Sequence, residues 1–194
     1  TGWFYDHRMA RARLAPWVGG KSVLDVYSYI GGWGIQAAAF GAREVCCLDS
    51  SAAALEGVMV NAELNDLADK VSVRRGSAPE TMKQMCSEGL TYDVVILDPP
   101  AFIQRRKDLK KGLTAYRRIN ELGLRLLKPG GLLVSGSCSM HLGRADLMSA
   151  MQQAAVRAGC QLRVVEQGAQ GPDHPIHPAI PETEYLKAMF ARRD

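Results

Sequence analysis

The sequence has no apolar stretch that approaches the length of a membrane-spanning helix, although 47% of its 194 residues are hydrophobic. It therefore predicts a soluble globular chain with a sizeable core and no membrane partner. No positively charged start followed by an apolar run is present, so a secretory signal peptide is not predicted. Because the first residue is Thr1 rather than Met, we expect a processed or excised piece of a longer protein.

The cysteine pattern argues against a disulfide framework and against a C-x-x-C site. The chain has five cysteines, an odd number, and none forms a C-x-x-C pair. A chain of this length does not need disulfides for stability, so we expect free thiols in a reducing cytoplasm. His174 and His177 have the spacing of a metal-binding pair, but no cysteine or glutamate completes a site, and no metal is predicted.

Two catalytic motifs are also absent, since the sequence contains neither a P-loop nor a Ser-His-Asp nucleophile elbow. The net charge of +4 is modest and permits an anionic partner without requiring one.

From Lys21 onward, short apolar runs alternate with helical patterns, which is typical of βαβ units around a parallel sheet. The Pro and Gly residues of 128–131 predict the end of a long helix. Two strands follow the last helix and are joined by a Pro-rich loop over 171–181, so we expect an antiparallel pair at one sheet edge. The predicted strands are 22–27, 44–49, 71–75, 92–97, 132–136, 162–167 and 184–192, and the predicted helices include 33–40, 79–86, 114–127 and 144–158.

Residues 1–20 form a separate N-terminal extension in this interpretation, and residues 21–194 form the main domain. The extension carries several aromatic residues and a basic run on an Ala-rich stretch, which predicts a short basic helix leading into the sheet.

A glycine-rich turn follows the first predicted strand. Gly31, Gly32 and Gly34 open the next helix, where glycine lets the backbone approach a ligand and the helix N-terminus offers amide donors. Asp49 closes the second strand, at the position from which an acid binds a ribose diol. The pair favours a nucleoside cofactor; the alternative is a tight turn with an N-capping acid.

Two further predicted strand ends are followed by candidate catalytic residues. Asp98 is followed by Pro99 and Pro100, which stiffen the backbone and project the Asp98 side chain toward a cleft. Cys138 follows an apolar strand, between Ser137 and Ser139, whose hydroxyls offer hydrogen-bond donors. Since open α/β sheets place their chemistry at these strand ends, Cys138 is a candidate nucleophile and Asp98 a candidate polar partner. An inert thiol and a solvated acid are the alternatives.

A cationic segment follows Asp98, and it would suit the phosphates of RNA, although such a run is more often a solvated surface. Phe102 could stack on a base or be buried in the core. The candidate RNA-binding residues are Phe102, Arg105, Arg106, Lys107, Lys110 and Lys111.

Taken together, the segments TGWFYDHR, VLDVYSYIGGWG, LDPPAF, SGSCSMH and DHPIHPAIPETEYLK resemble the S-adenosylmethionine-dependent (cytosine-5)-methyltransferases of bacterial large-subunit ribosomal RNA. The resemblance covers essentially the whole chain. It implies a class I methyltransferase fold, a Rossmann-like seven-stranded α/β sheet whose last strand is antiparallel. In that family a PUA-like RNA-binding domain precedes this domain, and we expect that domain to be absent from this chain.

The resemblance implies S-adenosylmethionine as cofactor and large-subunit ribosomal RNA as partner. Family members usually have Asp where this chain has Ser77, beside the adenine, so Ser77 is a departure that removes a charged acceptor. The implied cofactor-binding residues are Arg8, Tyr27, Ser28, Tyr29, Gly31, Gly32, Asp49, Ser50, Ser51, Gly76, Ser77, Asp98 and Pro99.

In the implied mechanism Cys138 is the nucleophile toward cytosine, and Asp98 binds the edge of the cytosine ring. The group that removes the C5 proton is unassigned.

A related family that methylates guanine N7 shares the DHR and DPP segments but lacks a cysteine at position 138. A catalytically idle RNA-binding module and a methyltransferase for small molecules or proteins are further alternatives. A homodimer is one oligomeric state that the sequence leaves open.

Overall fold

The computed structural model describes residues 2–194, so Thr1, the first residue of the predicted extension, lies outside the described residues. Within them, strands and helices alternate along most of the chain, and short 3-10 turns cover Arg106–Asp108 and Pro181–Thr183. The strands are β1 (Ser22–Val26), β2 (Glu44–Asp49), β3 (Val71–Arg75), β4 (Tyr92–Leu97), β5 (Leu127–Ser137), β6 (Leu162–Gly168) and β7 (Lys187–Arg193). The helices are α1 (Arg8–Ala12), α2 (Ala15–Val18), α3 (Gly32–Ala39), α4 (Ala52–Leu64), α5 (Ala78–Ser87), α6 (Leu109–Leu126) and α7 (Arg144–Ala158).

The strands form one seven-stranded sheet in the order β3-β2-β1-β4-β5-β7-β6. The first five strands pair in parallel, and β7 pairs antiparallel with both β5 and β6. The predicted α/β fold with an antiparallel last strand is confirmed. Along residues 2–194, no helix is long and apolar enough to span a membrane.

Alternating strand residues pack on the two faces of the sheet, as the two-residue period of a strand requires. Val23 packs with α3 and α4 on one face, whereas Leu24 packs with α5, α6 and α7 on the other. Burying each large aliphatic side chain stabilises the fold by about 1.5–3 kcal/mol. The sheet is thus covered on both faces, and ligands can approach only at its ends or edges.

The N-terminal extension is built into this core. The predicted basic helix is present as two short helices, α1 and α2, rather than one. Ala10, Leu14 and Val18 are fully buried against the same face of the sheet as Val23. Helices α1 and α2 are therefore fixed against the sheet.

The long helix ends just before 128–131, as predicted, but the strand that follows begins earlier than predicted. Helix α6 ends at Leu126, and β5 begins at once, so the Pro and Gly residues lie within the strand rather than in a loop. The pairing of β5 with β4 shifts register at this point. A Cβ on Gly131 would lie 2.8 Å from the carbonyl oxygen of Asp93, so glycine allows the close approach of the two strands.

We expect Gly34→Ala to destabilise the fold, because a Cβ there would lie 2.6 Å from Sγ of Cys47 and 3.1 Å from Oδ2 of Asp25. Such overpacking between α3 and the sheet should lower the free energy of unfolding by about 1–3 kcal/mol. Urea denaturation measures this. Gly19→Ala, where a Cβ has no heavy atom within 4 Å, is the matched control. Equal midpoints for the two variants would contradict the packing argument.

Candidate functional site

The register of the parallel strands brings three strand ends together. Val26 of β1 is level with Leu48 of β2 and with Leu97 of β4. The next residues along these strands are Tyr27, Asp49 and Asp98, so the three predicted site residues emerge side by side. Ligands in open α/β sheets bind at this carboxyl edge.

A cavity of about 410 Å³ lies at this edge, a volume in the usual range for a small-molecule site. It contacts residues from all three strand ends and from the end of β5. The predicted site residues that line it are Tyr27, Ser28, Tyr29, Gly32, Asp49, Ser50, Asp98, Pro99 and Cys138. The candidate nucleophile and most of the candidate cofactor residues therefore share one cavity.

The rest of the lining comes mostly from the N-terminal segment and from α3, and sequence analysis did not predict Trp3, Phe4, Arg11 or Trp33 there. The additional lining residues are Trp3, Phe4, Asp6, His7, Arg11, Ile30, Trp33 and Pro100. In the DHR segment (residues 6–8), which the resemblance places beside the cofactor, Asp6 and His7 line the cavity, whereas Arg8 forms an ion pair with Asp173 at the surface. The aromatic residues near Thr1 were the available signal, but their position beside the sheet depends on contacts distant in sequence.

The loop after β1 has an unusual backbone. Tyr27 and Tyr29 have φ angles of 63° and 51°, a region that side-chain-bearing residues rarely adopt and that clusters at functional sites. The backbone N–H of Tyr29 donates to Oδ2 of Asp49 at 2.9 Å, and that of Ser51 donates to Oδ1 at 2.9 Å. These two bonds orient the Asp49 carboxylate, and each oxygen keeps a lone pair for a ligand.

Asp98 is held from two sides. Nε1 of Trp33 donates to its Oδ2 at 3.0 Å, and Nε2 of His7 lies 3.4 Å from its Oδ1. A Cβ on Gly136 would lie 3.0 Å from Oδ1, so glycine at that point of β5 leaves room for the carboxylate. The other ring nitrogen of His7, Nδ1, is buried and has no hydrogen-bond partner among residues 2–194.

Cys138 is partly buried and lies between two fully fixed serines. Oγ of Ser137 pairs with the Tyr116 hydroxyl at 2.8 Å, and Oγ of Ser139 donates to the Ile103 carbonyl at 2.8 Å. The serines expected to offer donors near the thiol therefore fix the backbone instead. Burial, and then the negative charge of Asp98, raise the pKa of the Cys138 thiol above its usual range.

Four predicted cofactor residues other than Arg8 do not line the cavity. Gly31 and Ser51 are neighbours of residues that do, and Ser51 caps α4 by accepting the Ala54 N–H. Gly76 donates its N–H to the carbonyl of Asp49 at 2.9 Å. Ser77 occupies the N-cap position of α5 without a side-chain capping bond, and its hydroxyl donates to the Glu80 carboxylate.

The predicted RNA-binding residues lie directly after the Asp98 turn. Phe102 packs edge-on between the rings of Tyr27 and Tyr116, with centroids 6.3 and 4.9 Å away. Phe102 and Lys111 line a second, smaller cavity of about 240 Å³. The remaining cations are exposed, namely Arg105, which pairs with Asp108, together with Arg106, Lys107 and Lys110.

Asp25 lies beneath the site, fully buried in β1. Its Oδ2 accepts the Gly34 N–H at 2.8 Å, whereas Oδ1 has no partner in the described part of the chain. Burial raises the pKa of Asp25 to about 7, helped by the nearby charges of Asp98 and Asp49 and opposed by Arg11.

Comparison with known proteins gives a consistent picture. A family model described as S-adenosylmethionine-dependent methyltransferase matches residues 1–192. The chain is 37% identical over 193 residues to ribosomal RNA large subunit methyltransferase I of Shewanella denitrificans, and 39% identical over 194 residues to that of Shewanella amazonensis. Each match covers 99% of this chain and 49% of the relative, so the chain spans about half the length of these curated relatives.

Among solved structures, the fold is similar to that of SMU.776 in complex with SAH, with a TM-score of 0.88 and 21% identity. The match covers 99% of this chain and 50% of that one. At this identity the likeness concerns the fold.

We expect the raised pKa of Asp25 to make stability depend on pH. Between about pH 5.5 and pH 8 the folded chain releases the Asp25 proton, while the unfolded chain is already ionised, so the free energy of unfolding falls by about 2 kcal/mol from this group. Asp25→Asn should remove most of that fall, as measured by urea denaturation at both pH values.

Asp93 provides the matched control for this experiment. Burial alone would raise the pKa of Asp93, but hydrogen bonds from Ser22 and Lys128 outweigh it and lower the pKa to about 2. Because Asp93 is ionised in both states above pH 5, Asp93→Asn should change stability equally at both pH values. An unchanged pH dependence in Asp25→Asn would contradict the assignment to Asp25.

Proposed function

Since the chain belongs to the S-adenosylmethionine-dependent methyltransferase family, we propose that it transfers a methyl group to C5 of a cytosine in large-subunit ribosomal RNA, with Cys138 as the nucleophile. The predicted cofactor, S-adenosylmethionine, is confirmed by the family. The observation that carries the proposal is the position of Cys138, partly exposed and in the same cavity as Asp49 and Asp98.

The cavity fits this cofactor in size and charge. Asp6, Asp49 and Asp98 line it and only Arg11 among its lining residues carries a fixed positive charge, which favours a cationic ligand. The buried, unpartnered Nδ1 of His7 is a free polar atom at the wall. Asp49 would hold the ribose hydroxyls, and the loop from Tyr27 to Gly32 the methionine part. When bound, S-adenosylmethionine supplies an electrophilic methyl group.

The chemistry of cytosine explains the need for a thiol. C5 of cytosine is too weak a nucleophile to take a methyl group directly. Attack by the Cys138 thiolate on C6 forms an S–C6 bond and moves the ring electron pair toward C5. After methylation, loss of the C5 proton to a base restores the double bond and expels the thiolate, so Cys138 is regenerated.

Asp98 is suited to bind the N3/N4 edge of the base while this adduct forms. Its carboxylate is oriented by the indole N–H of Trp33 and lies beside His7, so it is in place before substrate binds. The target cytosine must leave its stack to reach this cavity.

The RNA partner is supported by charge and by the relatives. The cations that follow the Asp98 turn are exposed and would be accessible to the phosphates of an RNA. The two Shewanella relatives are named as methyltransferases of large-subunit ribosomal RNA. The guanine-N7 alternative leaves Cys138 without a role, which is why we favour cytosine.

We expect Cys138→Ala to retain S-adenosylmethionine binding and to lose methyl transfer, because only the adduct with C6 activates C5. The measurement uses cofactor with a labelled methyl group, large-subunit ribosomal RNA as free RNA and as assembled subunit, and mass mapping of the modified nucleoside. Cys160→Ala, a partly buried thiol at the end of α7, is the matched control and should transfer methyl groups normally.

The modified nucleoside distinguishes the alternatives. 5-Methylcytidine that disappears in Cys138→Ala supports the proposal. 7-Methylguanosine, or turnover that persists in Cys138→Ala, would overturn the cytosine mechanism. Cofactor binding without any product on either RNA form would indicate the idle module, for which the Ser77 departure is the supporting feature.

We expect Asp49→Ala to weaken S-adenosylmethionine binding by about 1–3 kcal/mol, the value of a lost charge-assisted hydrogen bond. Isothermal titration calorimetry measures the change. Asp69→Ala, an exposed carboxylate in the turn after α4, is the control and should bind as the unmodified chain does. An unchanged dissociation constant for Asp49→Ala would count against the ribose role.

A further inference from the structure

Lys187 is the one buried lysine in the described part of the chain, with 2% of its surface exposed. It begins β7, opposite Ser137 of β5 in the antiparallel pairing. Its Nζ donates to the carbonyl oxygen of Ser139 at 2.6 Å. The ammonium therefore contacts the main chain of the residue that follows Cys138, the candidate nucleophile.

Within residues 2–194, Lys187 forms no ion pair with a carboxylate. The groups that face Lys187 are Arg144 at the start of α7, Glu184 in the segment before β7, and Cys138. Glu184 is half exposed and forms an ion pair with Arg144 at 3.4 Å. Burial, and then the charge of Arg144, lower the pKa of Lys187 to about 8. A buried, poorly compensated ammonium is costly, so a purely structural role would be better served by an apolar side chain.

The Cys138 thiol lies in surroundings that disfavour its negatively charged form, the thiolate. The charged and titratable groups that face Cys138 are Asp98 and Asp6 across the cavity, the hydroxyls of Tyr116 and Tyr185, and Lys187. Burial and the two carboxylates disfavour the thiolate, and Lys187 is the one cation in this set that favours it.

We propose that Lys187 is a positioning residue for Cys138, whose buried ammonium holds the Ser139 main chain and supplies the positive charge that stabilises the Cys138 thiolate. This inference rests on the proposed function for its meaning, because a stabilised thiolate matters only if Cys138 attacks a base. The effect of Lys187 on the reactivity of the Cys138 thiol can nevertheless be measured without RNA or cofactor.

The experiment follows iodoacetamide alkylation of Cys138 alone, by peptide-resolved mass spectrometry over a range of pH, in the full chain. We expect Lys187→Met to slow alkylation at pH 7 by about 5- to 10-fold, because loss of a nearby charge raises the thiol pKa by close to one unit. Lys128→Met is the matched control, since Lys128 carries its ammonium at the opposite end of β5, paired with Asp93. It should leave Cys138 alkylation unchanged.

Two further variants separate charge from hydrogen bonding and remain informative if Lys187→Met fails to fold. Lys187→Gln and Lys187→Arg both keep a donor for the Ser139 carbonyl, but only arginine keeps the charge. We expect alkylation to be slow in Lys187→Gln and close to normal in Lys187→Arg, with the pH profile shifted upward only in the former. The midpoint temperature of thermal unfolding, measured for each variant, shows whether a change in alkylation comes from a loss of stability.

Equal alkylation rates for Lys187→Gln and the unmodified chain would overturn the proposal, as would an equal slowing in Lys128→Met. This outcome is independent of the proposed function. If Cys138→Ala still methylates RNA, the cytosine mechanism fails even where Lys187 controls the thiol. If alkylation is insensitive to Lys187 while Cys138→Ala is inactive, only the inference about Lys187 fails.

Discussion

The parallel register of β2, β1 and β4 is the constraint on which the candidate site depends. Because Val26, Leu48 and Leu97 are level, the residues that follow them emerge at the same height on one edge of the sheet. Backbone hydrogen bonds fix this register, and the burial of both faces prevents a slip, since a shift of one residue would turn the apolar side chains of each strand to the wrong face. The position of the cavity therefore follows from the strand pairing, and does not depend on which side chains line it.

Much of this edge could be predicted from the sequence, because it depends on local patterns. Apolar runs ending in Asp49 and Asp98, and the glycines after β1, mark strand ends without reference to the rest of the chain. The wall contributed by His7 and Trp33 could not be predicted in this way. Their contacts with Asp98 join segments 91 and 65 residues apart in sequence, and only the packing of α1 and α3 on the sheet brings them together.

Local sequence patterns also gave wrong expectations where residues typical of a loop or a catalytic site have a structural role instead. Pro129 and Gly130 have the composition of a helix stop followed by a loop, but β5 passes through them as an irregular strand. Likewise, Ser137 and Ser139 have the composition of an active-site pair, yet both hydroxyls are used within the protein. The burial of Lys187 could not be predicted either, since one lysine in a strand with two arginines gives no indication that it alone is buried.

The placement of β7 also bears on how the protein is assembled as it leaves the ribosome. Although β7 is the last strand in sequence, it lies inside the sheet between β5 and β6 and contributes several fully buried residues, including Phe190. Until these residues emerge from the exit tunnel, β5 has an open edge and β6 has no partner in the sheet. The sheet can therefore close only after β7 has been synthesised, and until then the open strand edges are exposed to mispairing and to capture by chaperones.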